Sequence, residues 1–282
     1  MRQIILLTVV LLSAFLFSQN QRFYYDYTFQ TDSTDADTKK SELMVLDINK
    51  KGSQYYSEYV FQNDSIMDAQ FKKNRAAHNN DVIAMSGKQG VVGYKILKTY
   101  PDFRINHIVT LDMTPYNASQ QVKFDWKILP EKTKIDNWNV QKAETDFAGR
   151  HWIAWFSAEI PIQDGPYKFY GLPGLIVKIE DRSGSHLMEL KGIKNNVIER
   201  DIFSFASEKP VAIDYKKYQS AYKAYRKDPL ANFKKKTFAG EIYMTDESGN
   251  RLNGADYMKS QEKLMSERMK KNNNILEINL LK

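Results

Sequence analysis

Arg22-Phe23-Tyr24-Tyr25-Asp26-Tyr27-Thr28-Phe29-Gln30 puts Phe23, Tyr25, Tyr27 and Phe29 at every second position. A period of two lines one face of a strand, whereas a helix would scatter these rings around its axis. Aromatic side chains also suit a pleated, half-buried surface. Aromatics make up 13% of the 282 residues, so the same preference extends well beyond this stretch.

Working outward, residues 42–49 read as a strand, Lys50-Lys51-Gly52 as a tight turn and residues 53–62 as a third strand. Asn63-Asp64-Ser65 is expected to cap a helix running to about Asn74, with a loop over residues 78–90. Further strands are expected over residues 91–99, 103–112 and 122–129. Pro101, Pro115 and Pro130 punctuate them, because proline cannot donate to a ladder. Residues 138–148 and 150–157 continue the pattern. Residues 175–181 and 186–193 read as a hairpin around Arg182-Ser183-Gly184, and residues 197–205 as another strand.

The character then changes. Tyr218, Ala221, Tyr222 and Tyr225 recur at helical spacing within residues 215–227, and Asp228-Pro229 stops the helix. A strand over residues 241–245 and a turn over 246–249 are expected next. A helix over residues 255–271 would bury Tyr257, Leu264, Met265 and Met269. Residues 275–281 alternate like a strand. The expected fold is mainly β (α+β): a curved, half-barrel-like antiparallel sheet with helices packed on it and a helical C-terminal portion. The expected division is a signal peptide over 1–18, a β-rich domain over 19–205, and a helical extension over 206–282 belonging to the same domain.

Composition excludes several chemistries. The chain has no cysteine, so disulfides, thiolate zinc sites, iron–sulfur clusters and thiol nucleophiles are absent. With 42% hydrophobic and 27% charged residues it has the balance of a globular protein. Its first residues read as an address. Arg2 supplies a positive charge, residues 4–17 are apolar apart from Thr8 and Ser13, and the small Ser18 precedes Gln19. This is the pattern of a secretory signal peptide, and the run is short against the roughly 20 residues of a membrane span. Cleavage near Ser18 and a periplasmic or secreted location are expected.

The net charge of +7 is unevenly spread. Residues 209–236 contain nine Lys or Arg and only Asp214 and Asp228 as acids. That segment could make weak contact with an anionic membrane surface, or it could be a solvated helical face. No nucleic-acid recognition motif accompanies it, and no nucleic-acid partner is expected.

Residues 147–181 read FAGRHWIAWFSAEIPIQDGPYKFYGLPGLIVKIED. The hexapeptide Gly171-Leu172-Pro173-Gly174-Leu175-Ile176 resembles the signature of the GLPGLI family, exported proteins of Gram-negative bacteria. Gly149-Arg150, Ala154-Trp155-Phe156, Ile160-Pro161 and Gly165-Pro166 precede it at similar spacings, and Trp126-Lys127-Ile128-Leu129 resembles the family's approach to it. Many members carry a cysteine just before a Lys-Ala pair; here Val140-Gln141 precedes Lys142-Ala143. The resemblance implies export but no particular activity. Read physically, Gly171 and Gly174 permit positive φ or close backbone approach, and Pro173 pushes Leu172 toward extended geometry. A tight buried turn feeding a strand is expected. Without a Gly-Lys-Ser/Thr ending or a following helix, it is not a phosphate loop.

Candidate chemistry is sparse. His78, His107, His151 and His186 form no local metal pair, no Gly-x-Ser-x-Gly elbow occurs, and nothing points to a cofactor. Arg150 is a candidate ion-pair partner or ligand contact. Glu159, Asp164, Glu180 and Asp181 lie near the hexapeptide, and a suitably separated acid pair could hydrolyse a glycoside. Trp152, Trp155, Phe156, Tyr167, Phe169 and Tyr170 crowd into 19 residues and are candidates either for core packing or for an apolar groove. Two function classes stay open. One is a non-enzymatic envelope protein that binds a hydrophobic ligand or an envelope protein partner, in a fold similar to half-barrel periplasmic lipoprotein carriers. The other is a hydrolase or other enzyme whose site is assembled from distant loops.

Overall fold

The computed structural model describes residues 20–78, 87–202, 209–241 and 254–282. The expected cleavage site, residues 242–249 of the strand and turn expected over 241–249, and residues 203–205 of the expected 197–205 strand lie outside these. A twelve-stranded sheet dominates: β1 (Gln21–Gln30), β2 (Lys39–Asn49), β3 (Gly52–Ser57), β4 (Lys95–Thr99), β5 (Ile105–Leu111), β6 (Thr114–Gln120), β7 (Lys127–Ile135), β8 (Trp138–Phe147), β9 (Arg150–Ser157), β10 (Leu175–Asp181), β11 (His186–Asn195) and β12 (Val211–Asp214). The helices are α1 (Glu58–Ala77), α2 (Tyr215–Lys227), α3 (Ala231–Phe238) and α4 (Gly254–Lys271).

The strand order is β12-β6-β5-β4-β3-β2-β1-β11-β10-β9-β8-β7, so the sheet stays open, with β12 and β7 at its edges. Its hairpins are antiparallel, and β12 joins β6 in the one parallel pairing among the described residues. The mainly β expectation holds, with that mixed edge as the difference. Two hairpin turns carry the positive φ that tight two-residue loops need: Asp112-Met113 at 43° and 65°, and Ala148-Gly149 at 54° and 85°.

The sheet is curved. Five strand spacings separate β4 from β10, about 24 Å in a flat sheet. Yet Asp164 bonds both: its carbonyl accepts from Ile176 N of β10 at 3.1 Å, and its carboxylate accepts from Lys98 of β4. One residue can bridge them only if the sheet wraps around it. The inner face carries Phe23, Tyr25, Tyr27 and Phe29 into a core shared with Met44, Ile96, Ile105, Trp152 and Ile179. On the outer face Tyr24 meets Val45, Tyr56, Ile202 and Phe61 of α1.

Several boundaries differ from expectation. The third strand ends at Ser57, whose hydroxyl accepts from Val60 N at 3.1 Å and caps α1 six residues before Asn63, the first residue of the expected Asn63-Asp64-Ser65 cap. The cap outweighs the strand propensity of Tyr59, Val60 and Phe61. β4 starts at Lys95, four residues after the expected start. Residues 122–126 belong to no strand, and β7 begins at Lys127. Pro115 and Pro130 lie within β6 and β7. Pro115 precedes the segment of β6 that pairs with β12, and Pro130 falls where the β7–β8 register shifts between Ile128 and Lys132. Residues 197–202 form no strand.

The C-terminal portion packs on the inner face. Tyr218 of α2 is buried against Leu111, Ala118 and Leu280, with Tyr222 and Tyr225 beside it. Asp112, in the β5–β6 turn, accepts from the backbone N–H groups of Asn232 and Phe233 and so caps α3 from another element. In α4, Met258 and Met269 are buried, Tyr257 and Met265 are half-buried and Leu264 is exposed. The alternating residues 275–281 form an irregular tail ending in a short 3-10 turn (Ile278–Leu281). Asn274 and Glu277 in this region point inward to side-chain and backbone partners that no ladder could supply.

Candidate functional site

The β9–β10 connection threads through the concave side as a buried loop. Gly171 N donates to Gln163 O at 3.0 Å, and Leu175 N to Ile160 O at 3.0 Å, so the loop folds back on itself. Gly171 has φ +95°. At Gly174 a Cβ would lie 2.2 Å from Ser157 O, so only glycine permits the approach to β9. Leu172, Leu175 and Ile176 are buried and Pro173 is exposed.

Two buried lysines pin this loop. Lys98 donates to Asp164, to Gly165 O at 2.7 Å and to Phe169 O at 3.2 Å, which uses all three of its protons. Asp164 also accepts from Tyr100 Oη and from Gly165 N. Burial lowers the pKa of Lys98, and Asp164 opposes that by favouring the cation. Lys168 pairs with Glu277 of the tail. The Glu277 carboxylate also accepts from Tyr167 Oη at 2.9 Å and from Tyr215 Oη. Burial lowers the Lys168 pKa and Glu277 opposes it. Glu277 thus joins loop, helix α2 and tail.

Arg150 forms an ion pair with Asp181 at 3.0 Å and donates to Asn274 Oδ1, Ile275 O and Leu276 O. His186 sits between Tyr27 Oη at 2.8 Å and Asn274 O at 3.0 Å. Its ring donates through Nε2 to the carbonyl and accepts at Nδ1 from the phenol. Burial, reinforced by Arg150, pushes its pKa down to about 4.

Between these clamps and the sheet lies a cavity of about 220 Å³. Its walls come from β1 (Tyr27, Phe29), residues 91–94, β5 (His107, Val109), Tyr167, α2 (Tyr218, Tyr222) and the tail from Asn272 to Leu280. Val91 and Gly93 at its rim are exposed. His107 is 5% exposed, and neither of its ring nitrogens has a hydrogen-bond partner among the described residues. The buried Tyr94 hydroxyl is likewise unpartnered. The rings of Tyr94, Tyr167 and Tyr218 surround the imidazole at centroid distances of 5.7, 6.3 and 5.3 Å. Desolvation, with Lys168 nearby, holds the His107 pKa well below its ordinary value, so the ring is neutral. Two larger depressions, about 480 and 500 Å³, have rims of mainly polar residues such as Lys51, Glu199 and Lys132. Neither is lined by a buried histidine or an unpartnered phenol.

Of the six aromatics singled out in the sequence, Tyr167 alone lines the cavity. Trp152, Phe156 and Phe169 are buried in the core, and Trp155 and Tyr170 are half-buried against it. The acids separate. Glu159 accepts from Asn139, Asp164 and Asp181 are paired as above, and Glu180 pairs with Lys178. His151 pairs with Asp146 and Glu144, and His78 ends α1 in left-handed geometry. Among the described residues no three His, Asp or Glu side chains are arranged to hold a metal ion, and no helix is long and apolar enough to cross a membrane. His107, Tyr94, Lys98, Lys168 and Glu277 were not legible as site residues. A lysine inside the aromatic run Tyr167-Lys168-Phe169-Tyr170 was the available signal.

A family model described as "Protein of unknown function (Porph_ging)" matches residues 113–178. The match takes in β6 to β9 and the hexapeptide. No curated protein matches the chain. Solved structures of PNGF-II in space groups P21 and C2 are similar with a TM-score of 0.49 and 15% identity. They align over 72% of this chain and 33% or 32% of theirs, so the chain spans about a third of their length.

Proposed function

We propose that the chain is an exported, non-enzymatic binding protein of the GLPGLI type whose inner cavity takes a small amphipathic ligand. The cavity carries this reading: an aromatic and aliphatic enclosure holding two buried polar groups with no hydrogen-bond partner among the described residues. Buried polar groups are ordinarily satisfied, and each one left open costs about 1–3 kcal/mol that a ligand can recover. At about 220 Å³ the space exceeds the ~150 Å³ of an engineered cavity that admits benzene. The scale is therefore one ring or a short acyl chain. The hydrolase reading has less support, because the buried acids Asp164, Asp181 and Glu277 are each tied to a cation.

Export rests on the N-terminal charge, the apolar run and the Ser18-Gln19 junction. Weak contact with an anionic membrane surface through residues 209–236 is supported by the exposed Lys216, Lys217, Lys223, Lys227 and Lys235. The binding reading is tested by thermal melts with saturating toluene. The midpoint should rise for the wild type, because a ligand of the native state stabilises it by mass action. It should not rise for Val109→Trp, which fills the cavity. An unmoved wild-type midpoint would count against the reading. Intact mass of the exported form tests cleavage near Ser18.

A further inference from the structure

Resting on the cavity reading above, we infer that the preferred ligand class is a neutral single-ring hydroxyl compound, a phenol, whose one hydroxyl is read by His107 and Tyr94. Three observations converge. The enclosure has the volume of a substituted ring, and its apolar wall includes Phe29, Val92, Val109 and Leu276. The two open polar groups complement a hydroxyl. A neutral imidazole offers one donor and one acceptor, and a tyrosine O–H donates and accepts. One ligand oxygen can therefore donate its proton to the imidazole and accept from Tyr94, or the reverse.

Charge selects against ions. The carboxylate that lines the cavity, Glu277, is already saturated by Tyr167, Tyr215 and Lys168. A ligand carboxylate would bring a second buried negative charge beside it with no free cation among the described lining residues to pair with, since Lys168 is committed to Glu277 and burial disfavours protonating His107. A ligand ammonium would have to compete with Lys168 for Glu277 and leave that lysine unpaired. A plain hydrocarbon fits the walls but leaves His107 and Tyr94 open. Sites built to hydrogen-bond a hydroxyl discriminate strongly against the analogue that lacks it, for that reason.

The test uses the mature wild-type chain at pH 7 with three probes of matched size: p-cresol, toluene and benzoate. Affinity is read by calorimetry, and the His107 ring nitrogens by long-range ¹H–¹⁵N correlation. p-Cresol should bind at least about tenfold more tightly than toluene, benzoate should bind more weakly than either, and p-cresol alone should shift the His107 nitrogens. Tyr94→Phe removes only the hydroxyl, and His107→Phe replaces the imidazole with a slightly larger ring that has no polar atom; each should bring p-cresol down toward toluene. If one variant fails to fold, the other still decides. Equal affinity for p-cresol and toluene, tighter binding of benzoate, or discrimination that survives in a folded variant would each overturn the assignment of the phenol class. Binding of none of the three probes would instead overturn the cavity reading itself.

Discussion

Gly174 and Gly171 sit three residues apart and carry different constraints. A side chain at Gly174 would meet Ser157 O of β9 at 2.2 Å, and backbone cannot step aside as a flexible side chain can. At Gly171 the nearest atom to an added Cβ is Trp126 Nε1 at 3.9 Å, so only its φ of +95° is at issue. Gly174→Ala should therefore cost about 3 kcal/mol or more, and Gly171→Ala about 1–2 kcal/mol. Urea melts rank the two; a larger loss at Gly171 would mean that conformational strain, not close approach, governs the loop. The two glycines were legible in the sequence as constrained positions, but the difference between them was not. It depends on the carbonyl of residue 157, which only the fold brings there. The same holds for His107, which reads as an isolated histidine until three tyrosines from separate elements enclose it.

Among the elements, α2 is the one that sequence defined best, because a single period settled it. Tyr218 is 2% exposed against Leu111, Ala118 and Leu280, whereas Lys223 and Lys227 face water. Tyr218→Ala should cost about 3 kcal/mol. Lys223→Gln with Lys227→Gln should stay within about 0.5 kcal/mol of the wild type while weakening salt-dependent adsorption to anionic vesicles. Urea melts and vesicle sedimentation read the two effects separately. Early unfolding of the lysine variant would show that those side chains serve an interface. The strands β8, β9, β10 and β11 were legible for a similar reason, since alternation and turn chemistry agree there. The tail was not. Its alternation comes from Asn274, Leu276, Glu277 and Leu280 turning inward one by one to different partners, which mimics a strand without forming one. β12 and α3 are short, and neighbours define them: β6 pairs with the first and Asp112 caps the second.

At the scale of the whole molecule, the curved sheet is closed on its inner side by side chains that reach across it. His186 links β1 to the tail, so acid should loosen the assembly. In the unfolded chain a histidine takes its proton near pH 6.5, whereas burial and Arg150 delay this in the fold to about 4. Between those values the unfolded state binds the extra proton, and stability falls as pH falls, by about 3 kcal/mol in all. His107, also held neutral, acts in the same direction. Urea melts at pH 7 and pH 5 should show the loss, and His186→Gln should flatten the slope. A slope unchanged in that variant would assign the acid sensitivity elsewhere.

Glu277 is the other closure, and it gathers Tyr167 and Lys168 of the loop and Tyr215 of α2 on one carboxylate. Both members of its ion pair are buried, so the pair is a poor source of net stability but costly to break. Glu277→Gln keeps the shape and leaves Lys168 as an unpaired buried cation, which should cost about 3–5 kcal/mol. Adding Lys168→Met removes that cation and should restore most of the loss, although the tail then holds by packing and by the phenol contacts alone. The double-mutant cycle in urea measures the coupling directly. Simple additivity of the two single losses would show that Lys168 and Glu277 are not each other's partners. The loop, the helix and the tail would then be fastened by something other than this carboxylate.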